Sequence, residues 1–376
     1  GCTSLQSVVI PDSVTKIGDY AFSFCTSLQS VVIPDSVTKI GQSAFEDCTS
    51  LQSVVIPDGV TEIGYLAFRG CSSLKSIVIP DSVINISSSA FENCINLEHL
   101  IVANGTLIYA SPTIATGDYT IPDSVTKIGK FAFEGCTSLQ SVVIPEGVTE
   151  IGDSAFRGCS SLKKVVIPDS VTEIGYEAFR FCSSLKSIVI PDSVINIFSS
   201  AFKNCINLEH LIVANGALIY ASPTIATGDY TIPDSVTKIG KFAFEGCTSL
   251  QSVVIPEGVT EIGESAFEDC TSLKKVVIPE GVTEIGQSAF EDCTSLKKVV
   301  IPEGVTKIGD SVFSCCTSLQ SVVIPDSVTQ IGWEAFEGCT SLQSVVIPDS
   351  VTKIGWKIFF GCINLEHLIV ANGALI

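Results

Sequence analysis

Three kinds of side chain in this 376-residue chain have metal-binding, disulfide or nucleophilic chemistry: 16 cysteines, three histidines and 40 acids. Fifteen of the cysteines keep a fixed interval. They stand at 2, 25, 48, 71 and 94, then at 136, 159, 182 and 205, then at 247, 270, 293, 316, 339 and 362. The step is 23 within a run and 42 between runs. If each step is one coil of a stack, neighbouring cysteines lie about 4.8 Å apart, within reach of a disulfide. Their Cβ vectors then point the same way, which is poor disulfide geometry. The column therefore reads as buried free thiols acting as small apolar side chains. There is no Cys-x-x-Cys pair, and no zinc site is expected. Cys315 lies outside the column, in a slot that elsewhere holds Gly, Asp, Asn or Phe, and is expected to be partly exposed.

His99, His210 and His367 each sit in the string Ile-Asn-Leu-Glu-His-Leu. A catalytic triad needs a singular constellation, and here every candidate is one member of a column. The histidines read as polar residues on a strand face. Fourteen acids, from Asp12 to Asp349, follow the proline of successive units. Such a column attracts cations, and calcium takes several carboxylate oxygens; the alternative is a row of solvated Pro-Asp and Pro-Glu turns. Asn85-Ile-Ser87 and Asn104-Gly-Thr106 are glycosylation sequons whose counterparts 111 residues later are not.

A repeat must position these columns. Numbered from Cys2, the unit reads Leu5, Val8, Ile10, Pro11, Val14, Ile17, Gly18, Ala21, Phe22. Val-x-Ile is a short strand with alternate residues turned inward. Proline ends it, because proline has no N–H for the next rung. Val-Thr-Lys-Ile-Gly reads as a second short strand, and Ala-Phe-Ser-Phe-Cys as a tight helical turn. One coil buries too little to stand alone, so stability must come from coils stacking like residue on like. Position 17 is usually Gly but is Ser87 and Phe198 in two units, so that turn does not require positive φ.

Hydrophobic residues are 46% of the chain and charged ones 16%, too apolar a balance for disorder. No apolar run approaches the roughly 18 residues of a membrane span, so no membrane insertion is expected. The net charge of −19 argues against nucleic acid as a partner. The chain opens and closes in mid-pattern and reads as a window of a longer array.

The pattern Cys-x-x-Leu-x-x-Val-x-Ile-Pro-x-x-Val-x-x-Ile-Gly-x-x-Ala-Phe, recurring every 23 residues, resembles the BspA-like class of leucine-rich repeats. The resemblance covers essentially the whole chain. It implies an α/β, strand-dominated, right-handed solenoid of 23-residue coils with two inserted 19-residue coils, continuous over 1–376. It also implies a secreted or cell-surface setting, adhesion in several members, and no catalytic residues or cofactor to carry over.

On the strand, positions 7 and 9 face in, so position 8 faces out. It holds Val9, Val32, Val55, Val78, Ile101, Val143, Val166, Val189, Ile212, Val254, Val277, Val300, Val323, Val346 and Ile369. An exposed β-branched ribbon reads as an interaction surface, or as strand propensity alone. Position 18 adds Tyr65, Tyr176, Trp333 and Trp356. The expected function is a non-catalytic adhesion or interaction module for a protein or glycan ligand. The alternative is a structural protein that assembles with copies of itself, since the outward residues hardly vary.

Overall fold

A computed structural model describes residues 1–87 and 89–370. Contacts divide the chain into one unit spanning Gly1–Cys205 and a second from Ile206 onward. Each is a strand-dominated parallel β-solenoid, and no helix occurs among the described residues. Successive coils pair in register at an offset of 23: Ser7, Val8 and Val9 oppose Ser30, Val31 and Val32, and Lys16 and Ile17 oppose Lys39 and Ile40.

Each ordinary coil has three walls. The first is a face strand such as Ser30–Val32 or Lys164–Val166, with its middle residue buried and its ends outward. The Ile-Pro pair ends it, and the chain turns: the Val37 N–H closes onto the Pro34 carbonyl at 3.0 Å. The second wall is a corner strand such as Lys39–Ile40, whose isoleucine is fully buried. In front of it the Thr38 hydroxyl donates to the Thr15 carbonyl of the preceding coil at 3.2 Å, and Thr61 repeats this on Thr38.

The third wall, Ala-Phe-x-x-Cys, was expected to be a helical turn and is neither helix nor strand. Alternate N–H groups serve different neighbours. Those of Tyr20, Phe22 and Phe24 reach across to the carbonyls of Gln42, Ala44 and Glu46 in the next coil, at 2.7–2.8 Å. Those of Ala21, Ser23 and Cys25 close tight turns within their own coil. This zigzag puts two residues per coil in the left-handed region, for example Ser43 at φ 51° and Asp47 at φ 54°. The second slot is where the sequence places Gly70, Asn93 and Asp269, types that tolerate positive φ.

The phenylalanines of this wall form the spine of the core. In the first unit Phe133, Phe156, Phe179 and Phe202 stack with centroids 4.9–5.4 Å apart and rings nearly parallel. In the second, Phe244 to Phe359 continue coil by coil at 4.9–5.7 Å. All but the last of these are fully buried.

The short coils break the pattern. After Cys94 the chain leaves the face sheet. Ile101–Ala103 instead pairs antiparallel with Thr106–Tyr109, a hairpin that joins the corner sheet through Leu107 and Ile128. Face pairing resumes with Gly117–Thr120 against Leu139–Val143. In the second unit Ile212–Ala214 and Ala217–Tyr220 form the equivalent hairpin. This corrects the outward stripe at two places. Ile101 and Ile212 are 1% exposed, because the hairpin moves position 8 from the solvent side of one sheet to the core side of the other.

Phe156 stacks on two neighbours and lines no surface, so it isolates the contribution of the aromatic spine. Phe156→Ala is expected to lower the unfolding free energy by about 3–5 kcal/mol in a denaturant titration. A loss below about 1 kcal/mol would show that the stack carries little of the stability.

Candidate functional site

The outward row on the face sheet is a repeated exposed apolar feature of both units. In the first unit Val9, Val32, Val55 and Val78 lie on one sheet, and Val143, Val166 and Val189 on another. In the second, Val254, Val277, Val300, Val323, Val346 and Ile369 share a sheet. These thirteen are exposed, from 50% at Val323 to 78% at Val9, while Val31, Val165 and Val276, one residue earlier, are buried. Beside the row stand Ser, Lys or His at position 6, all paired in register with the coils on either side where the ladder is regular.

The cysteines are free thiols, and the column is buried apart from Cys2 and Cys362. From Cys48 onward each member of the column has a partner that sequence reasoning missed. The Cys94 thiol donates to the Phe68 carbonyl at 3.1 Å, Cys182 to Phe156 at 3.2 Å, and Cys293 to Phe267 at 3.2 Å. The column is thus a hydrogen-bonding device for buried carbonyls on the Phe wall. In the short coil a hydroxyl serves a different buried carbonyl: fully buried Ser111 donates to Leu97 at 2.5 Å. Burial pushes the Cys48 and Cys247 thiols up to about 12, which removes the nucleophilic thiolate at neutral pH. Cys315 is half-buried at φ 57°, and burial followed by the charges of Asp292 and Glu291 raises its thiol as well.

His99 sits at the edge of the first face sheet rather than on a strand face. Its Nε2–H donates to the carbonyl of Ile77 at 2.7 Å, an acceptor on the last strand before the short coil. Asn104, in the hairpin turn at φ 49°, donates through Nδ2 to the Val83 carbonyl at 3.1 Å. Asn104 and Asn85, the two sequon asparagines, are exposed and line one cleft of about 390 Å³ together with Ser87 and Tyr65. The fourteen column acids are all exposed. Among the described residues no group of three or more His, Cys, Asp or Glu is placed to hold a metal ion.

The sequence matches the family described as BspA type leucine rich repeat region over residues 1–112, 109–222, 220–336 and 306–375. The chain belongs to the BspA-type leucine-rich repeat family. Its fold is similar to that of a leucine rich cell surface protein from Faecalibacterium prausnitzii, at 31% identity and TM-score 0.51, covering 98% of this chain and 88% of that one. A leucine-rich repeat protein from Bacteroides ovatus matches at 28% identity and TM-score 0.44, covering 95% of this chain and 85% of that one. No curated protein is found to match.

Within this BspA-type frame, the glycine at position 17 is explained by approach rather than by φ. A Cβ on Gly64 would lie 2.7 Å from the Gly41 carbonyl carbon of the coil before it. Within each unit, the coils with glycine at this position leave the floor of a groove, which Ser87 and Phe198 interrupt in the first. Its sides are the corner-strand residues and position 18, where Tyr65, Tyr176, Trp333 and Trp356 are all exposed. Around Trp333 the groove deepens to a cleft of about 590 Å³.

The third wall carries a charge ladder that differs between units. In the first, Arg69 bridges Glu46 (2.8 Å) and Glu92 (3.3 Å), and Arg157 holds Glu134 at 2.7 Å. In the second, Glu268 and Glu291 occupy the column without an arginine. Burial, and after it the charges of neighbouring acids, holds both carboxyls above the usual range, against an opposing hydrogen bond from Ser265 or Ser288. A carboxyl raised in this way favours folding below its ordinary value, and that contribution is lost as pH climbs through the raised one. Glu268→Gln and Glu291→Gln should therefore raise the melting temperature at pH 7, with the gain vanishing below about pH 4. A gain independent of pH would place its origin elsewhere than ionisation.

The thiol geometry gives a second expectation. In native protein at pH 7.5, a chromogenic disulfide reagent should react with Cys2 and Cys315 and leave Cys71, Cys182 and Cys293 untouched until denaturant is added. Rapid native reaction of the inner column, mapped by mass spectrometry, would show that the coils open freely.

Proposed function

We propose that the chain is a non-catalytic interaction module of a cell-surface or secreted protein, adhering to a protein or glycan partner through the face sheet. The observation that carries this reading is the row of outward valines, which the core does not need and which stays in register along each sheet. A continuous exposed apolar patch of this kind on a folded protein marks a contact surface. The family membership and the surface setting named for the Faecalibacterium relative support it. The repetition argues against catalysis in its own way: thiols, histidines and carboxylates recur in columns instead of converging.

A second reading has its own observation. From Val254 to Val346 the outward residue is unchanged through successive coils of the second unit. Such uniformity suits a face that meets identical copies of itself, giving a filament or matrix.

Replacing Val254, Val277, Val300 and Val323 together by Thr keeps the β-branched shape and removes the apolar surface. Each change should alter stability by no more than about 0.5 kcal/mol. The wild type should bind saturably to immobilised matrix proteins or to cells, and the quadruple variant should lose that binding. Electron microscopy across a concentration series reads the second outcome, fibres that the variant fails to form. Full retention of binding or of fibres by the variant would remove the face sheet from the account.

A further inference from the structure

One stretch of the groove in the second unit, away from the face sheet and independent of the reading given to it, departs from the rest of its column. Corner residues Lys307, Gln330 and Lys353 are register partners on three successive strands. Other stretches of this column join lysine to glutamate: Lys238 to Glu261 at 3.1 Å, Lys127 to Glu150 at 2.9 Å, Lys39 to Glu62 at 2.7 Å. Between Lys307 and Lys353 the middle residue is an uncharged amide, and among the described residues neither lysine forms an ion pair. Two exposed ammonium groups thus flank one amide in a protein whose net charge is −19.

Across the groove stands Trp333, 65% exposed. Its backbone N–H donates to Asp310 Oδ1 at 2.8 Å, so its backbone is held in the turn after Gln330–Ile331 while its indole stays open. The floor is Gly332, where a Cβ would come within 2.5 Å of the Gly309 carbonyl carbon. Trp356 occupies the same position one coil on and is also exposed. The cleft lined by Lys307, Gln330, Gly332, Trp333 and Lys353, about 590 Å³, is within the roughly 300–1,000 Å³ of small-ligand sites.

Each part selects for a chemistry. An open indole face packs against the C–H side of a sugar ring. Gln330 offers both a donor and an acceptor to hydroxyls. Two unpaired lysines, point charges with no bidentate fork, favour a carboxylate over a neutral sugar. Asp310 lines this cleft, with Oδ1 taken up by the Trp333 N–H, and Glu284 lines the adjoining one that Lys307 also borders; both acids oppose an anion on the Lys307 side, so a bound carboxylate is held toward Lys353. We propose that this cleft binds an acidic saccharide, stacking a uronic-acid ring on Trp333 with its carboxylate between Lys307 and Lys353, nearer Lys353.

Trp333 lines the site and the chain's other tryptophan, Trp356, stands one coil on, so intrinsic fluorescence reports on the site. Titration with a galacturonic acid tetramer should change the emission saturably, and a neutral maltotetraose should not. Lys307→Gln with Lys353→Gln copies the residue already present at 330 and so preserves the fold. It should weaken binding roughly tenfold, the size of two exposed ionic contacts. Trp356→Phe should keep the signal and Trp333→Phe should lose it. The valine variants of the face sheet should bind the saccharide as the wild type does, which separates this site from that surface. An equal response to maltotetraose, no response to the acidic tetramer, or stronger binding of a tetraglutamate peptide would each overturn the assignment.

Discussion

Hydrogen bonds that run from one coil to the next are what the rest of the molecule depends on. On all three walls a large share of backbone N–H groups have their acceptor 21–24 residues away rather than within their own coil. An isolated coil would leave those groups to water and its inward Leu, Val, Ile and Phe unburied. Pairing at a constant offset aligns equal positions, and alignment makes columns. Phenylalanine rings stack because they share a position, cysteine thiols reach the same carbonyl in each coil for the same reason, and threonine hydroxyls climb on one another. The chemistry of any one residue is therefore inherited by its whole row.

That inheritance shapes function. A catalytic centre gathers unlike groups at one point, whereas this architecture distributes like groups along a line. What it can offer is extended surface, and variety enters only where a column changes residue. The face sheet hardly varies, which suits a repetitive contact. The corner column does vary, and where it reads Lys-Gln-Lys beside a tryptophan the surface acquires a local character of its own.

Much of this was legible in the sequence. The 23-residue period, the inward Val and Ile, the proline stop and the cysteine column each follow from side-chain type and spacing. The third wall was not. Ala-Phe-x-x-Cys has the look of a helical turn, but its N–H groups alternate between local and neighbouring acceptors, a choice made only when the next coil is present. One trace of it was visible: Gly, Asn and Asp, the types that accept positive φ, fill most of the slot before cysteine, with Phe24, Phe181 and Cys315 the exceptions. Ile101 and Ile212 misled for a related reason. Their position in the unit is that of an outward residue, yet Ala-Asn-Gly two residues on permits a hairpin that turns the strand over. His99 read as a face residue because a sheet edge inside a repeat leaves no mark on the period. The groove was missed because its floor is made of what glycine lacks.

The hairpin coil beginning at Cys94 has one further effect. In the first unit it interrupts both the face sheet and the phenylalanine stack, which ends at Phe91 and restarts at Phe133. In a solenoid, loss of one coil exposes the next, and disorder spreads like a zip. A coil whose strand is paired to its own hairpin partner does not hand that loss along by the same route. It acts as a firebreak, so that fraying on one side of residues 101–109 need not consume the coils on the other.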